Sequence, residues 1–152
     1  MNKREHRLTV DDVHGAWAII PTPAIATAED WRVEDTVDYD EVASAVDRLI
    51  ISGVDAIMSQ GTFGEGATLT WAEKKKMMEV MVETARGRVP IFVGVTTMNT
   101  RETIQQLKVA RDIGADGAMV GLPMWQQIDV AGAVRFYKDI TDAVPEMAIC
   151  VY

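Results

Sequence analysis

The sequence predicts an α/β fold in which strands and helices alternate along the chain and the strands run parallel. Three observations lead there. Short apolar, β-branched runs alternate with helix-period segments from about residue 15 to residue 152, the pattern of successive βα units. Several of those runs are nearly continuous in apolar residues, as strands covered on both faces are. Two joints also repeat one another: Ser52-Gly53-Val54-Asp55-Ala56 and Ile113-Gly114-Ala115-Asp116-Gly117 each put glycine at a helix end and aspartate at a strand start, as copies of one right-handed crossover would.

The elements follow in order. GAWAIIPTP (residues 15–23) is an apolar run closed by two prolines and reads as the first strand. A longer polar connection leads to a helix with Val42, Ala45, Val46, Leu49 and Ile50 on one face, Asp38 and Glu41 at capping-box spacing, and Gly53 at its end. VDAIMSQ (residues 54–60) is the second strand and runs into the glycine-rich GTFGEG. Thr70 caps the next helix with Glu73 reaching back, and Trp71, Met77, Met78, Met81 and Ala85 form its inner stripe. VPIFVGV (residues 89–95) is the third strand. TTMNT opens a helix whose Ile104, Leu107, Ala110 and Ile113 face inward and which Gly114 stops. Residues 115–122 form the fourth strand, a helix carrying Val130, Ala133, Val134 and Tyr137 follows, and MAICVY (residues 147–152) is the fifth strand.

Composition narrows the function. The chain has 152 residues, 48% of them apolar, and a formal charge of −8. It is long enough to bury a core, and the charge disfavours a nucleic-acid partner, which needs a basic face. Cys150 is the single cysteine, so no internal disulfide forms and a cytoplasmic setting is expected. No apolar stretch approaches the ~20 residues that span a bilayer, and the start MNKREHRLTVDD lacks a signal-peptide core.

In parallel βα arrays the chemistry gathers at the C-terminal strand ends. Those ends carry hydroxyls, aromatic rings and backbone amides: Pro21-Thr22-Pro23, Gly61-Thr62-Phe63-Gly64-Glu65, Thr96-Thr97-Met98-Asn99, Leu122-Pro123-Met124-Trp125 and Tyr152. GTFGEG matches neither nucleotide-loop pattern, and Glu65 would repel a phosphate. It is either a structural turn or a seat for a smaller anion, such as a carboxylate on Thr62 and nearby amides. Trp125 either stacks on an aromatic substrate or packs on a neighbouring subunit. Tyr152 is either a proton relay or a packed strand residue. Lys74, Lys75 and Lys76 read as a solvated helix face. Lys108 and Lys138 likewise fall in helices, so no lysine stands at a strand end. His6 and His14 read as structural, and no His, Cys or carboxylate spacing suggests a metal site. Asp55 and Asp116, at strand starts, are expected to cap or pair at the end of the sheet remote from chemistry.

Three stretches carry a resemblance to a known family. GTFGEGATLTWAEK (residues 61–74), GVTTMNTRETI (residues 94–104) with the later GADG (residues 114–117), and GLPMWQ (residues 121–126) resemble the pyruvate-dependent class I aldolases of the dihydrodipicolinate synthase and N-acetylneuraminate lyase family. The likeness runs from about residue 14 to residue 152. Within the family, GTFGE and PMWQ are more similar to its hydratase-aldolases of polycyclic aromatic hydrocarbon breakdown. The resemblance implies a (β/α)8 TIM barrel, a homotetramer and no cofactor, with pyruvate held as a Schiff base on a lysine of the sixth strand. A complete barrel takes about 250 residues. This chain is therefore expected to be the N-terminal part of one barrel domain, holding about five strands and four helices after an extension over residues 1–14. The lysine is expected beyond residue 152.

The same resemblance implies roles for particular residues. Tyr152 matches the relay tyrosine at the end of the fifth strand, and Thr62 would hydrogen-bond it and, with Gly61, help seat the pyruvyl carboxylate. Phe63 stands where many members have a second threonine, leaving a backbone amide and a more apolar pocket. Met124-Trp125 stands where synthases and lyases have a tyrosine pair, which favours an aromatic substrate surface. The implied reaction converts a 4-aryl-2-oxobut-3-enoate to an aromatic aldehyde and pyruvate, with no nucleic-acid or membrane partner. A different aldolase of the family, or a non-catalytic flavodoxin-like binding module, are the alternatives.

Overall fold

A computed structural model describes residues 8–152. After a short 3-10 turn at Val10–Asp12, the elements are β1 (Trp17–Ile19), α1 (Tyr39–Ile51), β2 (Ala56–Met58), α2 (Trp71–Ala85), β3 (Ile91–Gly94), α3 (Thr100–Ile113), β4 (Gly117–Val120), α4 (Val130–Ala143) and β5 (Ala148–Val151). Of the extension expected over residues 1–14, residues 1–7 lie outside the described residues, and so does His6. The five strands are all parallel and stand in the order β1-β2-β3-β4-β5. This consecutive order is that of a (β/α)8 barrel. A flavodoxin-like sheet reverses after its first strand, and this one does not.

Strand residues divide by parity between two apolar clusters. Ile57, Ile91, Val93, Ala118 and Val120 join the helices in the larger cluster, with Val42 and Val46 of α1, Met77, Met78 and Met81 of α2, Leu107 of α3, and Phe136 and Ile140 of α4. Met58, Phe92 and Met119 form a smaller cluster on the opposite face, against which Trp17, Ala148 and Cys150 pack. The Trp17 and Phe92 rings stand 5.0 Å apart there. Strands covered on both faces explain the unbroken apolar runs, and every residue of β3 and β4 is buried.

Aspartates anchor the N-terminal ends of the strands. Asp55 accepts the Ala16 amide at 2.7 Å, and Asp116 accepts the Ile91 amide at 2.9 Å. Each thus ties the start of its own strand to the start of the preceding one, and Gly53 and Gly114 supply the left-handed turns before them (φ +86° and +102°). His14 sits at this end too, with Nδ1 3.5 Å from Asp55.

Helix α2 begins as expected. Thr70 Oγ1 accepts the Glu73 amide at 3.3 Å, while Glu73 Oε2 accepts the Thr70 amide and hydroxyl, each at 2.8 Å. The other Glu73 oxygen takes the Thr36 amide and hydroxyl at 2.8 and 2.7 Å, which fastens the β1–α1 connection to α2. Lys76 adds to this clamp: its ammonium lies 3.9 Å from the centroid of the Tyr39 ring and 3.4 Å from Asp35.

Four expectations are corrected. Lys74 is not on a solvated face: it is 6% exposed, because it shares the i, i+3, i+4, i+7 stripe of Met77, Met78 and Met81. Trp71, at the open end of that stripe, is 36% exposed. In α4 the buried residues are Phe136 and Ile140, while Val130 and Val134 are exposed and off the surface that meets the core. In α1, Asp38 caps the Glu41 amide at 3.0 Å, but the Glu41 carboxylate pairs with Arg48 instead of reaching back.

Two outcomes follow for stability. Burial alone would raise the Glu73 pKa, but the hydrogen bonds from Thr36 and Thr70 outweigh it and bring the carboxyl from 4.5 down to about 2. Its stabilisation is therefore complete above about pH 4.5 and is lost as the pH falls toward 2. Glu73→Gln lowers unfolding free energy by about 2–3 kcal/mol at pH 7, and acid titration by circular dichroism shows the gap to the parent chain closing toward pH 2. Asp116→Ala leaves the Ile91 amide unpaired and lowers the urea-unfolding free energy by about 1–3 kcal/mol.

Candidate active site

The site is built where β2 ends. Gln60 leaves the strand with φ +57°, a left-handed conformation that side-chain-bearing residues rarely adopt. Parity would set it beside Met58 on the inner face. Its side chain instead reaches the helix layer, where Nε2 donates to the Lys74 carbonyl at 2.8 Å, and the residue is 3% exposed. Three glycines close around its backbone: a Cβ at Gly64 would overlap the Gln60 amide nitrogen, and one at Gly66 or Gly94 would overlap its carbonyl oxygen. These glycines are there for close approach, and they fold the loop back over the strand end.

That folding brings the sequence-predicted residues of two strand ends together. Gly61 lies against the Met119 side chain of the inner face. One residue on, Thr62 Oγ1 accepts a hydrogen bond from the Tyr152 hydroxyl at 2.9 Å, across 90 positions of sequence. Tyr152 itself is held because its amide donates to the Val120 carbonyl at 3.1 Å. The loop closes on itself through Glu65 N to Thr62 O (3.1 Å) and Gly66 N to Gly61 O (3.0 Å). The Thr62 and Phe63 amides donate to no backbone acceptor among the described residues. An exposed hydroxyl and two amides without a backbone acceptor thus stand at one turn, the kind of donor set that small anions take.

Phe63 and Trp125 do not touch the core. They are 62% and 84% exposed, and Met124 beside Trp125 is 68% exposed. Phe63 directly follows Thr62, and Trp125 stands on the loop after β4, at the same end of the parallel sheet.

Three further residues shape the site: Thr22 and Thr96, which the sequence places at strand ends without a role, and Gln60, which it reads only as the end of the second strand. The Thr22 hydroxyl, buried, donates to the Gly64 carbonyl at 2.7 Å. Thr96 Oγ1 accepts the Gly121 amide at 2.8 Å, joining the ends of β3 and β4 beside the Tyr152 ring. Gln60 is the third. The available signal was a polar side chain ending an otherwise apolar strand just before a glycine.

Other groups lie apart from this constellation. Burial pushes the Lys74 ammonium pKa down, with Glu102 opposing, but the residue is enclosed in the helix layer. Burial likewise pushes the Cys150 thiol up. A groove of about 1020 Å³ runs between α2 and α3, lined by Trp71, Val82, Arg86, Val109, Ile113 and Asp116, and includes neither Thr62 nor Tyr152. Among the described residues, no three His, Cys, Asp or Glu side chains group to hold a metal ion, and no helix is long and apolar enough to cross a membrane.

Comparison with known proteins gives this geometry a lineage. The model of the dihydrodipicolinate synthetase family matches residues 23–152. The chain is 55% identical over 146 residues to a trans-O-hydroxybenzylidenepyruvate hydratase-aldolase of Pseudomonas putida, covering 96% of this chain and 44% of that protein. It is 41% identical over 145 residues to a trans-2'-carboxybenzalpyruvate hydratase-aldolase of Nocardioides sp. strain KP7, covering 95% and 44%. Among solved structures, PhdJ bound to a substrate intermediate superposes with a TM-score of 0.95 at 48% identity, over 97% of this chain and 46% of that one. A dihydrodipicolinate synthase from Aquifex aeolicus superposes with a TM-score of 0.81 at 29% identity, over 91% and 44%. The chain thus spans under half the length of these relatives, which include lyases of the hydratase-aldolase type. With the family model matched from residue 23 to residue 152, on a sheet of consecutive parallel βα units, the chain belongs to the dihydrodipicolinate synthetase family.

Proposed function

We propose that this chain carries the pyruvyl-binding side of a class I hydratase-aldolase that converts a 4-aryl-2-oxobut-3-enoate to an aromatic aldehyde and pyruvate. The observation that carries the reading is the 2.9 Å hydrogen bond from Tyr152 to Thr62 beneath a loop with uncommitted amides. The substrate carboxylate sits on Thr62 and the amides of Thr62 and Phe63. There the preorganised dipoles hold its charge with little reorganisation. The ketone meets a lysine outside these 152 residues, and the Schiff base so formed draws electrons from the alkene. Water adds at the aryl-bearing carbon, and cleavage of the adjacent C–C bond releases the aldehyde and leaves a pyruvate enamine. Tyr152 moves protons at the former ketone, with Thr62 orienting its hydroxyl.

Phe63 and Trp125 select the aldehyde. A polyhydroxylated chain needs many hydrogen-bond partners, of which these two rings supply only the Trp125 indole N–H. An aryl group stacks on them. The whole protein works as a cytoplasmic homotetramer on this reading, and the chemistry requires no cofactor beyond the lysine.

Two measurements test the reading. Borohydride reduction of the 152-residue chain with pyruvate, followed by intact mass, leaves the mass unchanged; a stable adduct on any lysine here, Lys74 included, overturns the placement of the nucleophile. Trp125→Ala weakens binding of salicylaldehyde about fivefold, from loss of roughly 1 kcal/mol of stacking, and leaves pyruvate binding unchanged when both are followed by NMR titration.

A further inference from the structure

We infer that Gln60 is the positioning residue of this site: its side-chain amide, tethered to the first turn of α2, holds the left-handed turn that sets Thr62 against Tyr152. The inference rests on the reading of residues 61–65 as the carboxylate seat. The φ of +57° places Gln60 in a conformation that glycine adopts more easily, yet a long polar side chain stands there. What that side chain does is specific. It is 3% exposed, it donates to the Lys74 carbonyl at 2.8 Å, and its own Oε1 is buried with no hydrogen-bond partner among the described residues. The donor half of the amide is therefore the half in use.

The tether ends on rigid structure. Lys74 is 6% exposed and directly follows Glu73, which closes the capping box with Thr70 and also binds Thr36. At its other end Gln60 is enclosed by Gly64, Gly66 and Gly94, so a shift of its backbone displaces the loop directly. Two residues later comes the Thr62 hydroxyl, 2.9 Å from the Tyr152 hydroxyl. Gln60 faces the helix layer and touches no substrate, so its influence passes through the loop.

Two variants separate the tether from the turn. Gln60→Met keeps length and volume but has no donor; Gln60→Asn tolerates the left-handed backbone but is too short to span to Lys74. NMR hydrogen exchange on the chain reads the loop through the bonded Glu65 and Gly66 amides, and titration with pyruvate reads the seat. In both variants exchange at Glu65 and Gly66 is expected to rise about tenfold and pyruvate affinity to fall about five- to tenfold, with exchange in β3 and β4 unchanged. If Gln60→Asn matches the parent in both readouts, the turn alone sets the loop and the inference is overturned. Equal loosening of β3 and β4 also overturns it, since the effect is then global. If the parent chain fails to bind pyruvate while loop exchange still rises in the variants, the carboxylate seat is wrong and the hold of Gln60 on the loop stands.

Discussion

At the end of β2 the chain has to reverse over its own last residue, and the room for that reversal exists only because no side chain occupies positions 64, 66 or 94. The Gln60 backbone is the axis of the turn, and close packing around it leaves little latitude. The hydrogen bond that closes the loop on Tyr152 joins residues on non-adjacent strands, β2 and β5, so it reports the curvature of the whole sheet. A flatter sheet would part them. The site is in this sense a property of five strands in register, read out at one pair of hydroxyls.

Beneath the loop, the layer between sheet and helices tolerates polar groups by tying them down. Glu73 is 4% exposed and makes four short hydrogen bonds, which turns an expensive burial into an anchor for the longest connection in the sheet. Lys74 next to it is enclosed as well, and its depressed basicity follows from leaving water, which Glu102 opposes. The two adjacent residues show opposite answers to the same environment: the carboxylate is held charged by donors, while the ammonium is discouraged from charge.

Much of this was legible in the residues. Thr70 with Glu73 announced the start of α2, Gly53 and Gly114 announced two helix ends, and the apolar runs announced strands covered on both faces. Thr62 and Tyr152 were named from a family likeness and stand at bonding distance. Other features were hidden for physical reasons. Three consecutive lysines look like a wetted surface, but helical period gives each a different direction, and Lys74 points with the methionines. In α4, apolar residues lie on more than one side, so period alone left the choice of face open, and contact with the core selected Phe136 and Ile140 over Val130 and Val134. Gln60 was invisible because a left-handed turn is a backbone event, and parity counting assumes that the strand continues.

The aspartates at the start of β2 and β4 have a meaning for how such a molecule varies over generations. Asp55 and Asp116 secure register from the end of the sheet opposite Thr62 and Tyr152, using the same short phrase of glycine and aspartate twice. Substitutions in the loops at that opposite end leave those fastenings alone. Drift at that end and inheritance of the scaffold are thereby uncoupled, and a lineage can change Phe63 or Trp125 without renegotiating how its strands are aligned.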